Sequence, residues 1–182
     1  KNEILLDPFC GAGSVLQEAM LLGINTIGVD IERKSAEGAI KNLNWVKNKY
    51  KLKTNFMIYN IDNKEIDGFV DRANCVVTEP YFGPFFEKIP KHEYIAKLVK
   101  EIEEIYFSLL MKLKKIVKRD GIVVFLSPVY KTSGGKVRIP FEDIIKRTGF
   151  SIYSPIKNVI IPVKYSLKGS IIEREIYILK NT

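Results

Sequence analysis

Ile4-Leu5-Leu6-Asp7-Pro8-Phe9-Cys10-Gly11-Ala12-Gly13-Ser14 begins as a short apolar run and ends in a glycine turn. A helical pattern follows at once. Val15, Leu16, Ala19, Met20 and Leu22 carry its apolar face, and Gly23 closes it. The spacing predicts a strand, a tight turn and a helix N-terminus. Such a turn lets backbone N–H groups face a ligand, and the helix start favours negative charge by roughly 0.3–1 kcal/mol.

Two ligand classes fit a turn of this kind, a dinucleotide and S-adenosylmethionine (SAM). A dinucleotide fingerprint needs Gly-x-Gly-x-x-Gly. Gly11 and Gly13 supply the first two positions, but Leu16 stands at the third. Asp7 just before the turn would repel a pyrophosphate, yet it suits a ligand carrying an ammonium and a sulfonium. Asp30 ends the next strand-like run, Thr26-Ile27-Gly28-Val29-Asp30, nineteen positions beyond Gly11. That spacing sets an acid at the tip of the neighbouring strand, where it can hold both ribose hydroxyls. Gly-x-Gly alone would fit a plain strand–helix turn; Asp7 and Asp30 together favour SAM.

Composition bounds the rest. The 182 residues suit one domain with a sizeable core, and 46% of them are hydrophobic. No apolar run approaches the roughly 20 residues of a membrane span, and no signal peptide is visible. Cys10 and Cys75 fall in or beside predicted strands and read as reduced and buried, which points to the cytoplasm. Without Cys-x-x-Cys, and with His92 as the one histidine, no metal site is expected. The net charge of +8 suits a polyanionic partner, foremost nucleic acid, although a lysine-rich proteome would give the same balance. The first residue is Lys1 and a strand starts almost at once, so the expectation is a trimmed chain preceded by a further domain.

Further elements follow in order. Arg33–Tyr50 reads as a helix, Asn55–Tyr59 as a strand, and Asn63–Asp67 as a short helix. Asp62, after the third strand, can accept from the amine of an adenine or cap that short helix. Ala73–Thr78 is the fourth strand. Glu79-Pro80-Tyr81-Phe82-Gly83-Pro84-Phe85-Phe86 then places aromatics and two prolines where an open parallel sheet binds its ligands. Tyr81 reads as a stacking residue for a flat substrate, a contact worth roughly 1–3 kcal/mol. Phe85 and Phe86 read rather as packing. His92–Lys118 is a long helix with a basic end, with His92 on the surface, and Asp120-Gly121 is a turn before an apolar strand at Ile122–Leu126. Pro128–Pro140 reads as a loop bearing Lys131, Lys136 and Arg138, either a basic clamp or a solvated segment. Phe141–Thr148 is a helix, and Phe150–Val163 and Ile171–Leu179 read as strands of an antiparallel hairpin turning at Gly169.

Strand–helix alternation predicts an α/β fold, an open, mainly parallel sheet with helices on both faces. Over essentially the whole chain this resembles the Rossmann-like class I SAM-dependent methyltransferases, which implies seven strands with one antiparallel strand inserted by the terminal hairpin. Asp7-Pro8-Phe9-Cys10-Gly11-Ala12-Gly13 resembles the first motif of the RNA guanine-N2 methyltransferases that carry a THUMP RNA-binding domain, in the archaeal and eukaryotic branch acting on guanosine 10 of tRNA. The resemblance implies that Asp7, Pro8, Phe9, Cys10, Gly11, Ala12, Gly13, Ser14, Asp30, Ile31, Ile61 and Asp62 hold SAM. It implies tRNA as partner, an N-terminal RNA-binding domain absent from residues 1–182, and room for a small activating subunit.

The family's second motif reads Asp-Pro-Pro-Tyr or Asn-Pro-Pro-Tyr. Here Thr78, Glu79, Pro80 and Tyr81 align with it, and only the second proline and the tyrosine match. The expected catalytic set is these four residues, with Glu79 and Thr78 together replacing the missing Asp or Asn as acceptor for an exocyclic amine. Amino-methyltransferases acting on DNA or protein stay open, as does a non-catalytic module of the same fold that binds RNA or a protein. Leu16 and Asp7 weigh against an NAD-dependent enzyme.

Overall fold

A computed structural model describes residues 3–182. Ile4–Asp7 forms β1 and the glycine turn leads into α1, Ser14–Leu21. β2 (Asn25–Val29), α2 (Arg33–Lys49) and β3 (Phe56–Tyr59) complete the first half. A 3-10 helix at Asn63–Gly68 leads to β4, Ala73–Thr78. The second half holds α3 (His92–Ile116), β5 (Val117–Thr132), β6 (Gly135–Arg138), α4 (Phe141–Thr148), β7 (Phe150–Ile152), β8 (Val163–Tyr165) and β9 (Ile172–Asn181). Among the described residues no helix is long and apolar enough to cross a membrane.

The main path of the sheet is β3-β2-β1-β4-β5-β9-β7. β1 pairs parallel with β2 and β4, β2 with β3, and β4 with β5. β9 lies antiparallel between β5 and β7, as the terminal hairpin predicts. Leu5 and Leu6 show how the sheet is covered. Leu5 joins Leu16, Met20, Ala39 and Leu43 under α1 and α2. Leu6 joins Val76, Tyr106, Leu109, Phe125 and Phe141 under α3 and α4. Successive side chains of a strand point to opposite faces, so one dipeptide anchors both layers.

The main path has the seven strands expected, β6 and β8 add two more among the described residues, and three expectations change. Pro128–Pro140 is not a loop. β5 outruns β4, whose last partner is Phe125, and β6 pairs back onto it from Val129↔Arg138 to Thr132↔Gly135. Pro128 falls in the gap between β4 and β6, opposite Arg174 of β9, where a missing N–H is tolerated. Asp120-Gly121 is not a turn between elements but a bulge inside β5. Asp120 takes φ 63° and its carboxylate meets Lys180 at 2.8 Å. A Cβ on Gly121 would sit 2.8 Å from the Asn74 carbonyl. Phe150–Val163 is not one strand: after Tyr153, whose N–H still donates to the Ile178 carbonyl, residues 154–162 leave the ladder between β7 and β8, through Pro155, Asn158 at φ 70° and Pro162.

Candidate functional site

The site is built on the turn between β1 and α1. Gly11 takes φ 52° and Gly13 φ 84°, conformations that a side chain disfavours. A Cβ on Gly13 would lie 3.3 Å from that of Ala39, so the turn is pressed against α2. On Gly11 it would meet nothing within 4 Å, so open space lies over the turn. Gly28 of β2 admits the turn from below: a Cβ there would lie 2.8 Å from the Cys10 sulfur and 2.6 Å from Leu16. No side chain caps α1, and its first N–H groups are left for a ligand.

Asp30 braces this turn. Its Oδ2 accepts from the Gly11 N–H at 2.8 Å and its Oδ1 from the Glu32 N–H at 2.9 Å. Two asparagines that the sequence reading passed over fix the same loops. Asn60 Nδ2 donates to the Asp30 and Ile31 carbonyls, both at 2.9 Å, and Asn42 Nδ2 donates to the Ala12 carbonyl at 2.9 Å. Asn60 stands beside the expected Ile61-Asp62 pair, the one signal that could have flagged it. Ile31 is exposed and Ile61 packs partly into the α3 core. Asp62 caps the 3-10 helix, accepting from the Lys64 N–H at 2.9 Å.

Asp7 is buried. Its Oδ1 accepts from the Phe9 N–H at 3.1 Å and from the Thr78 hydroxyl at 2.9 Å. Burial raises its pKa to about 7, and the nearby charges of Asp30 and Glu79 push the same way against those two donors. Burial, with Asp7 and Asp30 nearby, raises the Cys10 thiol to about 12, so this sulfur packs rather than reacts. Pro8, Phe9, Ala12 and Ser14 complete the turn, with Phe9 packed against the α3 core and Ala12 and Ser14 exposed.

Past β4 the four motif residues divide. Thr78 is fully buried and its hydroxyl is given to Asp7, so it orients that carboxyl and presents nothing to a substrate. In this arrangement its hydroxyl is directed to Asp7 and not to the loop that follows β4. Glu79 is exposed. Its Oε1 takes both Nε and Nη2 of Arg174 at 2.8 Å, and its Oε2 has no partner among the described residues. Pro80 is buried and Tyr81 is 47% exposed, consistent with a ring offered to a flat substrate.

Two buried tyrosines hold this loop, one from the core face of the long helix and one from the segment expected to be a loop at Pro128–Pro140. Tyr106 of α3 donates to the Tyr81 carbonyl at 3.0 Å and Tyr130 of β5 to the Phe82 carbonyl at 2.8 Å. Phe86 packs edge-on against Tyr94 and Tyr130, whereas Phe85, expected to pack, is 90% exposed. Lys131 and Lys136 pair with Glu173, and Arg138 pairs with buried Glu175. The basic segment is thus an ordered hairpin.

Residues 1–42, which span the turn and Asp30, match a family model described as DNA methylase. The chain is 32% identical over 135 residues to tRNA (guanine(10)-N2)-dimethyltransferase of Methanocaldococcus jannaschii, covering 70% of this chain and 33% of that one. It thus spans about a third of that relative's length. It is 31% identical over 134 residues to the probable tRNA (guanine(10)-N2)-dimethyltransferase of Methanothermococcus thermolithotrophicus, covering 70% of this chain and 71% of that one. Among solved structures, the SAM-bound magnesium protoporphyrin IX methyltransferase of Synechocystis superposes with a TM-score of 0.67 at 13% identity, over all of this chain and 71% of that one, a likeness of fold. The order of the sheet, the braced turn and these relatives agree: the chain belongs to the tRNA (guanine(10)-N2)-dimethyltransferase family.

Proposed function

We propose that this chain transfers a methyl group from SAM to the exocyclic N2 amine of a guanine in tRNA. The observation that carries the reading is the open space over Gly11 with two carboxylates beside it, Asp30 bound to the turn and Asp7 buried beneath it, where burial raises its pKa to about 7. A buried carboxylate is costly, and a ligand with an ammonium and a sulfonium beside it relieves that cost. Space over Gly11 and the uncapped start of α1 suit the same ligand's carboxylate. SAM, when bound, supplies a methyl group on a positively charged sulfur.

The chain's residues then have distinct tasks. Asp7, oriented by Thr78, meets the cationic end of the cofactor. Asp30 holds the turn and faces the ribose, and Asp62 stands near the adenine. Tyr81 stacks on the base. Glu79, steadied by Arg174 through one oxygen, offers the other to the target amine. The amine's lone pair is delocalised into the ring, so an acceptor that draws on its N–H keeps the nitrogen electron-rich during an in-line displacement. Positioning supplies most of the rate in such a step. The proton lost by the nitrogen passes to the carboxylate or to solvent.

The two relatives from Methanocaldococcus and Methanothermococcus, named for tRNA and guanine N2, support the same substrate here. The DNA methylase match ends at residue 42, before the target loop, and so bears on the cofactor rather than on the base. Coverage of a third of the Methanocaldococcus relative supports an RNA-binding domain outside these residues, with the chain alone binding tRNA weakly. A cytoplasmic setting accords with such a substrate.

Calorimetric titration of SAM and S-adenosylhomocysteine, with Asp30→Ala as control, tests the cofactor half. Micromolar binding lost in the variant is expected, and no binding by the intact chain refutes it. Mass spectrometry of nucleosides from tRNA incubated with chain and SAM tests the target. N2-methylated guanosine is expected, and methyladenine or methylcytosine overturns the assignment.

A further inference from the structure

β6 and β8, the two strands outside the main path of the sheet, enclose a second concavity beside the target loop. It is an open hollow of about 360 Å³ over the ladder that runs β6-β5-β9-β8. Lys136 and Arg138 reach it from β6, Lys164 and Tyr165 from β8, and Arg174 from β9. Its two carboxylates already have roles. Glu173 holds Lys136 at 2.7 Å and Glu175 holds Arg138. Lys164 makes no ion pair among the described residues, and Tyr165 is half exposed. Four cations against two carboxylates leave the lining two charges positive.

Arg174 belongs to both places. It lines the cavity, its guanidinium grips Glu79, and it lies 5.7 Å from the centre of the Phe82 ring. A group bound here is therefore one side chain away from the target base. Resting on the methyltransferase reading above, we propose that this cavity receives a backbone phosphate of the RNA next to the target nucleotide, with Lys164, Lys136 and Arg174 as its cations. Drawing a base out of its stack costs a few kcal/mol. A phosphate seat adjoining the pocket offsets that cost where the strand is bent and leaves Arg174 holding Glu79 at the moment the amine arrives.

The chain has another basic concavity, lined by Arg72, Lys115, Lys118 and Arg119. It lies at the amino ends of the parallel strands, away from Glu79, and serves as an internal control.

Binding of a fluorescent seven-nucleotide single-stranded RNA with one guanosine, followed by anisotropy across a salt series with S-adenosylhomocysteine saturating, tests the seat. In Lys164→Gln and Lys136→Gln we expect affinity to fall roughly three- to tenfold and the slope of log K on log salt to flatten by about one. Lys118→Gln should leave both unchanged, and binding of S-adenosylhomocysteine should stay unaltered in all three. The proposal is overturned if Lys164→Gln keeps the native slope, if Lys118→Gln matches it, or if the native chain shows no binding of this RNA at low salt. Intact RNA binding with no binding of S-adenosylhomocysteine would instead sink the methyltransferase reading while leaving the seat in place.

Discussion

Replacing Asp7 by Asn should stabilise the ligand-free chain and cripple its use of cofactor. The buried carboxyl has its ionisation moved from 3.8 to about 7. The folded state therefore binds this proton more tightly than the unfolded one. The contribution of Asp7 to stability is most favourable below about pH 4, falls as the pH rises through the interval, and levels off above pH 7. At about 1.36 kcal/mol for each decade, the native carboxylate costs the fold about 4 kcal/mol at pH 8. Asn keeps an oxygen for the Phe9 N–H and the Thr78 hydroxyl, fills the same volume and never ionises. The Asp7→Asn chain should thus match the native one at pH 4 and melt about 8–16 °C higher at pH 8, at roughly 2–4 °C per kcal/mol for a chain of this length. Saturating SAM should raise the native melting temperature most at high pH, where Asp7 is charged, and barely move the variant. Scanning calorimetry from pH 4 to 8, with and without SAM, reads all of this. Parallel profiles for the two proteins would refute the reasoning, because they would mean that Asp7 does not change its charge in this interval.

Two further substitutions probe the frame around the site. Tyr106→Phe and Tyr130→Phe each delete one hydroxyl and leave the Tyr81 or Phe82 carbonyl without its donor, at about 1–3 kcal/mol apiece. Methylation kinetics on tRNA should show a lower kcat with unchanged SAM affinity, and an undiminished kcat in the double variant would count against a role in aiming Tyr81. Gly28→Ala forces a methyl within 2.8 Å of Cys10, Leu16 and Ile58, and should lower stability by about 1–3 kcal/mol in urea titration while weakening SAM. A loss below about 0.5 kcal/mol would show that the floor of the turn can yield.

The sequence carried the cofactor half of the site further than the target half. Asp7, Gly11, Gly13 and Asp30 are read from local spacing, because a strand, a turn and a helix start are each encoded by adjacent residues. Glu79 and Tyr81 are also visible as rule-breaking residues after a strand. Their supports are not. Tyr106, Tyr130 and Arg174 reach the loop from 25, 48 and 95 positions away. In the sequence one is a core-spaced aromatic, one lies in an expected loop and one is a charge on a strand. Thr78 misleads for the opposite reason: it aligns with a substrate-facing position, but a second buried polar group, Asp7, claims its hydroxyl. The loop expected at Pro128–Pro140 fails because proline usually ends a strand, and only the staggered ends of β4 and β6 make room for one.

That stagger has one more effect. β5 and β9 run on beyond β4 and β7, and each would expose an unpaired row of N–H and C=O groups there, an invitation to another chain. β6 and β8 cover these rows with four and three residues, too short to template a partner of their own. They also end the sheet in Lys136, Arg138 and Lys164, which repel the same residues of a second copy. The cations placed to meet an RNA phosphate are thus the ones that keep the enlarged sheet from growing, and replacing them by neutral side chains would remove a barrier to aggregation together with a contact.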